Sequence, residues 1–147
     1  MHTLGKIRLL LAGFILGLTA SIAAAEVVVV VSSGNPVVAL SDTEIADIFL
    51  GRQRYFPDGS VAVPVDLDEA SRTRTEFYDR YVGKSAAQLK MHWSKLIFTG
   101  RGLPPPKVKD VDELKQWLAS DPGAISYLDS SQVDDTVRVL QSASAGQ

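Results

Sequence analysis

Hydrophobic residues in this chain occur both as short continuous runs and as groups at helical spacing, a pattern typical of an α/β domain. Five consecutive valines at 27–31 predict a strand buried on both faces, as in a parallel sheet covered by helices. Further apolar runs at 61–65, 124–128 and 136–140 predict three more strands. Pro64 places the first of these three at a sheet edge or a strand end, because proline cannot donate to a strand ladder.

Polar residues at a fixed spacing mark where the helices begin. Three pairs have the spacing of N-terminal caps, namely Ser41 with Glu44, Ser85 with Gln88, and Asp110 with Glu113. A fourth helix is predicted from Ser71 to about Val82, since apolar residues recur there at helical spacing. The order of elements predicts one α/β domain with a central sheet flanked by helices.

The N-terminal segment predicts export from the cytoplasm. Residues 1–25 combine Lys6 and Arg8 with an apolar run that ends in three alanines, as in a signal peptide cleaved before Glu26. A single membrane anchor is the rival interpretation, although the run is short and interrupted for a spanning helix. We therefore expect a periplasmic protein with one domain at residues 26–140 and a disordered tail at 141–147.

Composition excludes several kinds of chemistry. The formal net charge is −2, which argues against sequence-blind binding to nucleic acid. There is no cysteine and there are only two histidines, so thiol catalysis and zinc sites built from several histidines or cysteines are excluded. The acidic turn formed by Asp66, Asp68 and Glu69 has neither the spacing of a calcium loop nor a nucleophile beside it. We therefore expect no enzymatic activity, no metal and no cofactor.

The stretch SRTRTEF is the strongest candidate for binding. Ser71 stands at a helix N-cap, where free amides and the helix dipole favour an anion. The Thr73 hydroxyl can add a donor, and Arg72 and Arg74 can supply charge-assisted hydrogen bonds. The alternative is an ordinary helix cap with exposed arginines, close to carboxylates that repel an anion. The residues alone leave both interpretations open.

Two other segments are weaker candidates. Ser32, Ser33, Gly34 and Asn35 follow the valine strand, where their hydroxyls and amides can cradle a small ligand or form a plain polar turn. The proline-rich loop at 101–109 carries Arg101, Lys107 and Lys109. These cations indicate either a docking surface for a protein or a solvated loop.

The order of motifs resembles the substrate-binding proteins of ABC-type phosphate uptake systems. The resemblance runs from residue 27 to 129 through NPVVALSDTEIADIFLGRQRYFPDGSVAVPVD, SRTRTEFYDRYVG, HWSKLIFTGRG and DPGAISYLD. It implies a single lobe of a type 2 periplasmic-binding-protein-like fold with a mixed sheet. It also implies a periplasmic module for phosphate or a related oxyanion, with Ser71 and Thr73 as ligands and an ABC permease as partner.

This chain departs from the family pattern at the site and in its length. Arg72 replaces a glycine, Leu67 replaces an arginine four residues before the serine, and Ser126 replaces a second glycine. Family members are two-lobed and about twice as long, so a second copy in a homodimer or another protein would have to cover the anion. The alternative function is a ligand-free accessory or sensory protein that docks to an envelope partner.

Overall fold

The computed structural model describes residues 25–143. The predicted signal peptide, apart from its last residue, and the final four residues of the predicted tail lie outside this range. Within residues 25–143, no helix is both long enough and apolar enough to span a bilayer.

A four-stranded mixed sheet forms the centre of the fold. Its strands in chain order are β1 (Val27–Ser32), β3 (Val63–Pro64), β6 (Ala124–Asp129) and β7 (Val137–Val139). Across the sheet the order is β3-β6-β1-β7. The valine strand β1 is buried as predicted, but both of its neighbours are antiparallel rather than parallel. A strand covered on both faces is apolar throughout whether its neighbours run parallel or antiparallel to it. Its composition therefore could not reveal the direction of those neighbours.

Two small parallel ribbons lie outside the central sheet. Strand β2 (Ala39–Leu40) pairs with β8 (Gln141–Ser142), and β4 (Asp66–Leu67) pairs with β5 (Lys107–Val108). The sequence predicted neither ribbon, since two residues carry no periodicity. Because β8 lies inside the predicted disordered tail, the folded domain extends past the expected boundary at residue 140.

Helices begin at the predicted caps. They are α1 (Asp42–Phe49), α2 (Arg72–Phe77), α3 (Ala86–Phe98) and α4 (Val111–Ser120). Full capping boxes begin α1 and α3, while the Asp110 carboxylate accepts the Glu113 amide at the start of α4. The predicted helix from Ser71 to Val82 consists of α2 and a π-helical turn, Tyr78–Val82, which follows it directly.

An aromatic cluster fixes the rotation of α2 against the sheet. Phe77 stacks on Tyr127 of β6 with ring centroids 4.0 Å apart, and Phe49 of α1 meets Phe77 edge-on at 4.7 Å. These rings are almost fully buried, and each buried aromatic side chain contributes about 2 to 3 kcal/mol through area removed from water. The rotation of α2 decides which of its polar side chains face inward and which face solvent.

Trp93 joins α3 to the end of α1. Gly51 follows α1 with φ of 71°, and a Cβ built there would lie 3.1 Å from Cη2 of Trp93. The His92 Nε2 atom donates to the Leu50 carbonyl at 2.9 Å. Any side chain at residue 51 therefore has to adopt a left-handed backbone conformation and also contacts the packed Trp93 ring.

We expect Gly51→Ala to destabilise the fold more than Gly83→Ala. Gly83 has a similar φ of 66°, but a Cβ there meets nothing within 4 Å. Both variants adopt the strained left-handed region at about 1 kcal/mol, and Gly51→Ala adds about 1 to 3 kcal/mol of overpacking against Trp93. Urea denaturation measures both losses, and equal losses would contradict the packing assigned to Trp93.

Candidate functional site

A buried carboxylate, Asp66, lies immediately before the candidate anion site. Its Oδ2 atom accepts from Arg74 Nε at 3.2 Å and from the Tyr78 hydroxyl at 2.9 Å. Its Oδ1 atom accepts from the Leu67 amide at 3.0 Å and from the Tyr127 hydroxyl. We refer to Asp66, Arg74, Tyr78 and Tyr127 as the Asp66 cluster. Both carboxylate oxygens thus accept hydrogen bonds, and among the described residues no buried side-chain nitrogen or oxygen lacks a partner, as a buried charge requires.

Charge inside the Asp66 cluster is balanced by Arg74. Only 12% of the Arg74 side chain and 2% of the Asp66 side chain are exposed, and the guanidinium carbon lies 4.8 Å from the Tyr78 ring centroid. Burial is the largest single influence and lowers the pKa of Arg74, but Asp66 together with Tyr78 and Tyr127 outweighs it, so the pKa of Arg74 is raised. Burial together with Asp66 also raises the pKa of Tyr78 and of Tyr127 far above their ordinary value. Both hydroxyls therefore remain protonated donors.

This arrangement corrects one predicted ligand. Arg74 lies on the inner side of α2 in an ion pair, so it does not face the depression into which Ser71 and Thr73 open. The sequence predicts an acidic turn at Asp66, whereas the structure buries this carboxylate. The sequence signal for its burial is the spacing of Arg74 and Tyr78, which lie one helical turn apart and both reach Asp66.

Ser71 and Thr73 line an open depression of about 500 Å³, which we call the anion depression. It lies between the N-terminal ends of α2 and α4, and its lining consists of Leu67, Asp68, Ser71, Thr73, Lys109, Asp110, Val111, Asp112 and Gln132. Ser71 caps α2, because its Oγ atom accepts from the Arg74 amide at 3.2 Å. Two helix N-termini thus point toward one space, an arrangement that favours an anion.

Side-chain charges in the anion depression oppose that effect. Three carboxylates, Asp68, Asp110 and Asp112, line it, and among its described lining residues Lys109 is the single cation. Leu67 is buried and adds no charge to the depression. The Arg72 side chain is 91% exposed and turns back along α2, where its Nε atom lies 2.7 Å from Glu76 Oε1. The side chains that line the depression therefore carry more negative than positive charge.

Ser32, the last residue of β1, and the three residues that follow it lie at the other end of the sheet. Asn35 Nδ2 donates to the Pro122 carbonyl, just before β6 begins, whereas Gln132 of the anion depression follows the end of β6. Strand β6 is about 17 Å long at the usual rise per residue. Ser32 and Asn35 are buried in turn hydrogen bonds, while Ser33 and Gly34 are exposed. The structure therefore does not bring Ser32, Ser33, Gly34 and Asn35 to Ser71.

The predicted docking loop does not form one surface. Lys107 pairs with Glu69, and Lys109 lines the anion depression. Arg101 lines a separate depression near the end of α3. These three cations therefore lie in three different environments.

A larger cleft of about 860 Å³ lies on the far side of α2. It runs between α3 and the Glu69 to Lys107 pair, with Leu89 and Trp93 among its apolar lining and Arg74 at one wall. Within residues 25–143, no group of three or more histidine or acidic side chains is arranged to hold a metal ion.

Comparison with known proteins identifies the fold. No protein-family model and no curated protein matches the sequence. A phosphate ABC transporter substrate-binding protein from Clostridium perfringens, solved with bound phosphate, has a TM-score of 0.65 at 22% identity over 80% of this chain and 45% of its own. An ABC-type phosphate transport receptor from Vibrio cholerae has a TM-score of 0.66 at 18% identity, and the match covers 83% of this chain and 48% of the receptor. PstS from Borrelia burgdorferi has a TM-score of 0.63 at 12% identity, and the match covers 84% of this chain and 49% of PstS.

These similarities confirm the predicted fold. The chain has the mixed α/β architecture of the phosphate-binding proteins of ABC transporters and spans about half the length of each similar structure. At these identities the likeness concerns the fold, and the anion depression has to be judged from its own residues.

We expect Arg74→Met to destabilise the domain by about 3 kcal/mol, because it leaves the Asp66 charge buried without its cation. The control is Arg72→Met, two residues away on the same helix, which removes an exposed ion pair and leaves the free energy of unfolding nearly unchanged. Denaturation in guanidinium chloride measures the free energy of unfolding of the two variants. In the double variant Asp66→Asn with Arg74→Met we expect part of the stability to return, and equal effects of the two single variants would contradict the cluster.

Proposed function

We propose that this chain is a one-lobe module of the phosphate-binding-protein fold that binds phosphate or a similar small oxyanion at the start of α2, without chemistry, in the periplasm. The observation that carries the proposal is that Ser71 and Thr73, the serine and threonine of the family helix start, line an open depression between two helix N-termini. One of the similar structures was solved with phosphate bound.

Donors for an oxyanion are available at Ser71 and Thr73. The Ser71 Oγ atom already accepts one hydrogen bond from the Arg74 amide, so its own hydrogen is free to donate. The first-turn amides of α2 have no acceptor within the helix, because such partners begin only one turn later. Arg72 can swing from Glu76 toward the anion at little cost, since exposed ion pairs are weak. Lys109 supplies a second cation from the opposite wall.

A second surface has to complete the site. The anion depression is open to solvent and three of its lining side chains are carboxylates, so water and negative charge both weaken an anion contact. A partner that brings cations would offset Asp68, Asp110 and Asp112 and exclude water. A second copy of the chain, an ABC permease or another envelope protein would each provide such a cover.

The second candidate function is docking without a ligand. The acidic lining of the anion depression and the buried Leu67 favour it, because both disfavour an oxyanion. In this case the domain is an accessory or sensory module that uses the fold as a rigid platform for an envelope partner.

Phosphate titration followed by amide NMR tests the first function. We expect shifts confined to residues 71–75 and 110–112, with a Kd on the order of millimolar for the isolated chain. Ser71→Ala should abolish these shifts, whereas Ser130→Ala, at an exposed serine beyond β6, should not. If phosphate moves no amide in either segment, the first function is wrong and the second remains.

Removing negative charge should strengthen the same site. Asp112 lines the anion depression, and we expect Asp112→Asn to tighten phosphate binding about threefold, the effect of one unit charge several ångströms away near water. Asp58→Asn is the control, because Asp58 lies in the exposed turn ahead of β3. Calorimetry gives both constants, and an equal gain in the two variants would indicate a general charge effect rather than a site.

A further inference from the structure

Three large apolar side chains are exposed close together in the chain near the end of α3. Phe98 is 92% exposed, Leu103 is 77% exposed and Ile97 is 52% exposed. Ile97 and Leu103 line a depression of about 470 Å³ whose other walls come from the end of α1 and from the edge strand β3. We call Ile97, Phe98, Leu103, Arg54 and Arg101 the basic apolar patch.

The charge of this patch is opposite to that of the chain. Arg54 and Arg101 line the depression together with glycines, Gln53 and apolar residues, and none of the described lining residues is acidic. Neither guanidinium forms a salt bridge within residues 25–143, although the chain carries an excess of acidic residues. Two free guanidinium groups beside exposed apolar side chains therefore offer both charge and apolar area to a partner.

The patch is held in a defined shape. The ring of Trp93 packs against Gly51 and lies within 4.0 Å of a Cβ built on Gly102. The Arg101 amide donates to the Leu96 carbonyl at 2.8 Å, and the Gly100 amide donates to the Ile97 carbonyl at 3.1 Å. The turn between Ile97 and Leu103 is therefore tied to α3, which lowers the entropy lost when a partner binds.

We infer that the basic apolar patch docks an acidic segment of a partner protein that carries an apolar anchor side chain. Carboxylates fit the planar donor array of Arg54 and Arg101, and an apolar side chain fills the depression beside Ile97 and Leu103. This inference rests on the docking function and does not depend on the anion depression. The two surfaces lie at different places, since Ala62 and Pro64 line the depression beside the patch, whereas Leu67 lines the anion depression.

Selection from a displayed library of random peptides tests the chemistry of the partner. The purified protein is the bait, and the variant with Arg54→Glu and Arg101→Glu is the comparison. We expect the enriched peptides to combine aspartate or glutamate with leucine or phenylalanine, and to lose at least about tenfold in affinity for the variant. The matched control is Lys84→Glu, whose charge lies before the start of α3, about 20 Å along that helix from Phe98. The Lys84→Glu variant should retain its affinity for the peptides.

Two outcomes would overturn the inference. One is enrichment of peptides that lack acidic residues or that bind the double variant as well as the parent protein. The other is self-association that Phe98→Ser abolishes in light scattering, which would assign the patch to a second copy of the chain. Ser71→Ala should leave peptide binding intact, and the double variant should retain the phosphate shifts. Failure here is therefore distinguishable from failure of the anion site.

Discussion

The Asp66 carboxylate is a full charge in the interior, and the elements that stabilise it cannot move independently. Arg74 comes from α2, Tyr78 from the π-helical turn, Tyr127 from the central sheet and the Leu67 amide from β4. Loss of any one donor would leave part of a buried charge unsatisfied, so the four are held together. Together with the stacking of Phe77 on Tyr127, this charge sets the rotation of α2 and directs Ser71 and Thr73 outward.

This internal ion pair also limits the positive charge available to the anion depression. Arg74 is engaged by Asp66 and Leu67 is an uncharged lining residue, so the depression has hydroxyls and helix ends but few free cations. In the proposed function, binding of an oxyanion then depends on the surface that covers the depression. The basic apolar patch lies elsewhere on the lobe, so a partner held there leaves the Ser71 surface open to a second contact.

Local signals in the sequence predicted local structure well. Ser41, Ser85 and Asp110 cap helices as expected, because a cap is decided by residues three positions apart. The sequence did not predict features that depend on which distant segments of the chain meet. The five valines did not reveal antiparallel neighbours, and the position of Ser32 to Asn35 depends on which end of β6 they meet. The direction of Arg74 depended on a carboxylate eight residues earlier in the chain, whose burial the sequence did not indicate.

Trp93 gives the basic apolar patch an optical reporter. The sequence contains two tryptophans, and Trp93 packs beneath the turn that carries Arg101, whereas Trp117 is partly buried on α4. Indole emission responds to nearby charge and to exclusion of water. A carboxylate and an apolar side chain that settle beside Gly102 would change both around Trp93. The intrinsic fluorescence of the unlabelled protein can thus report whether this surface is occupied.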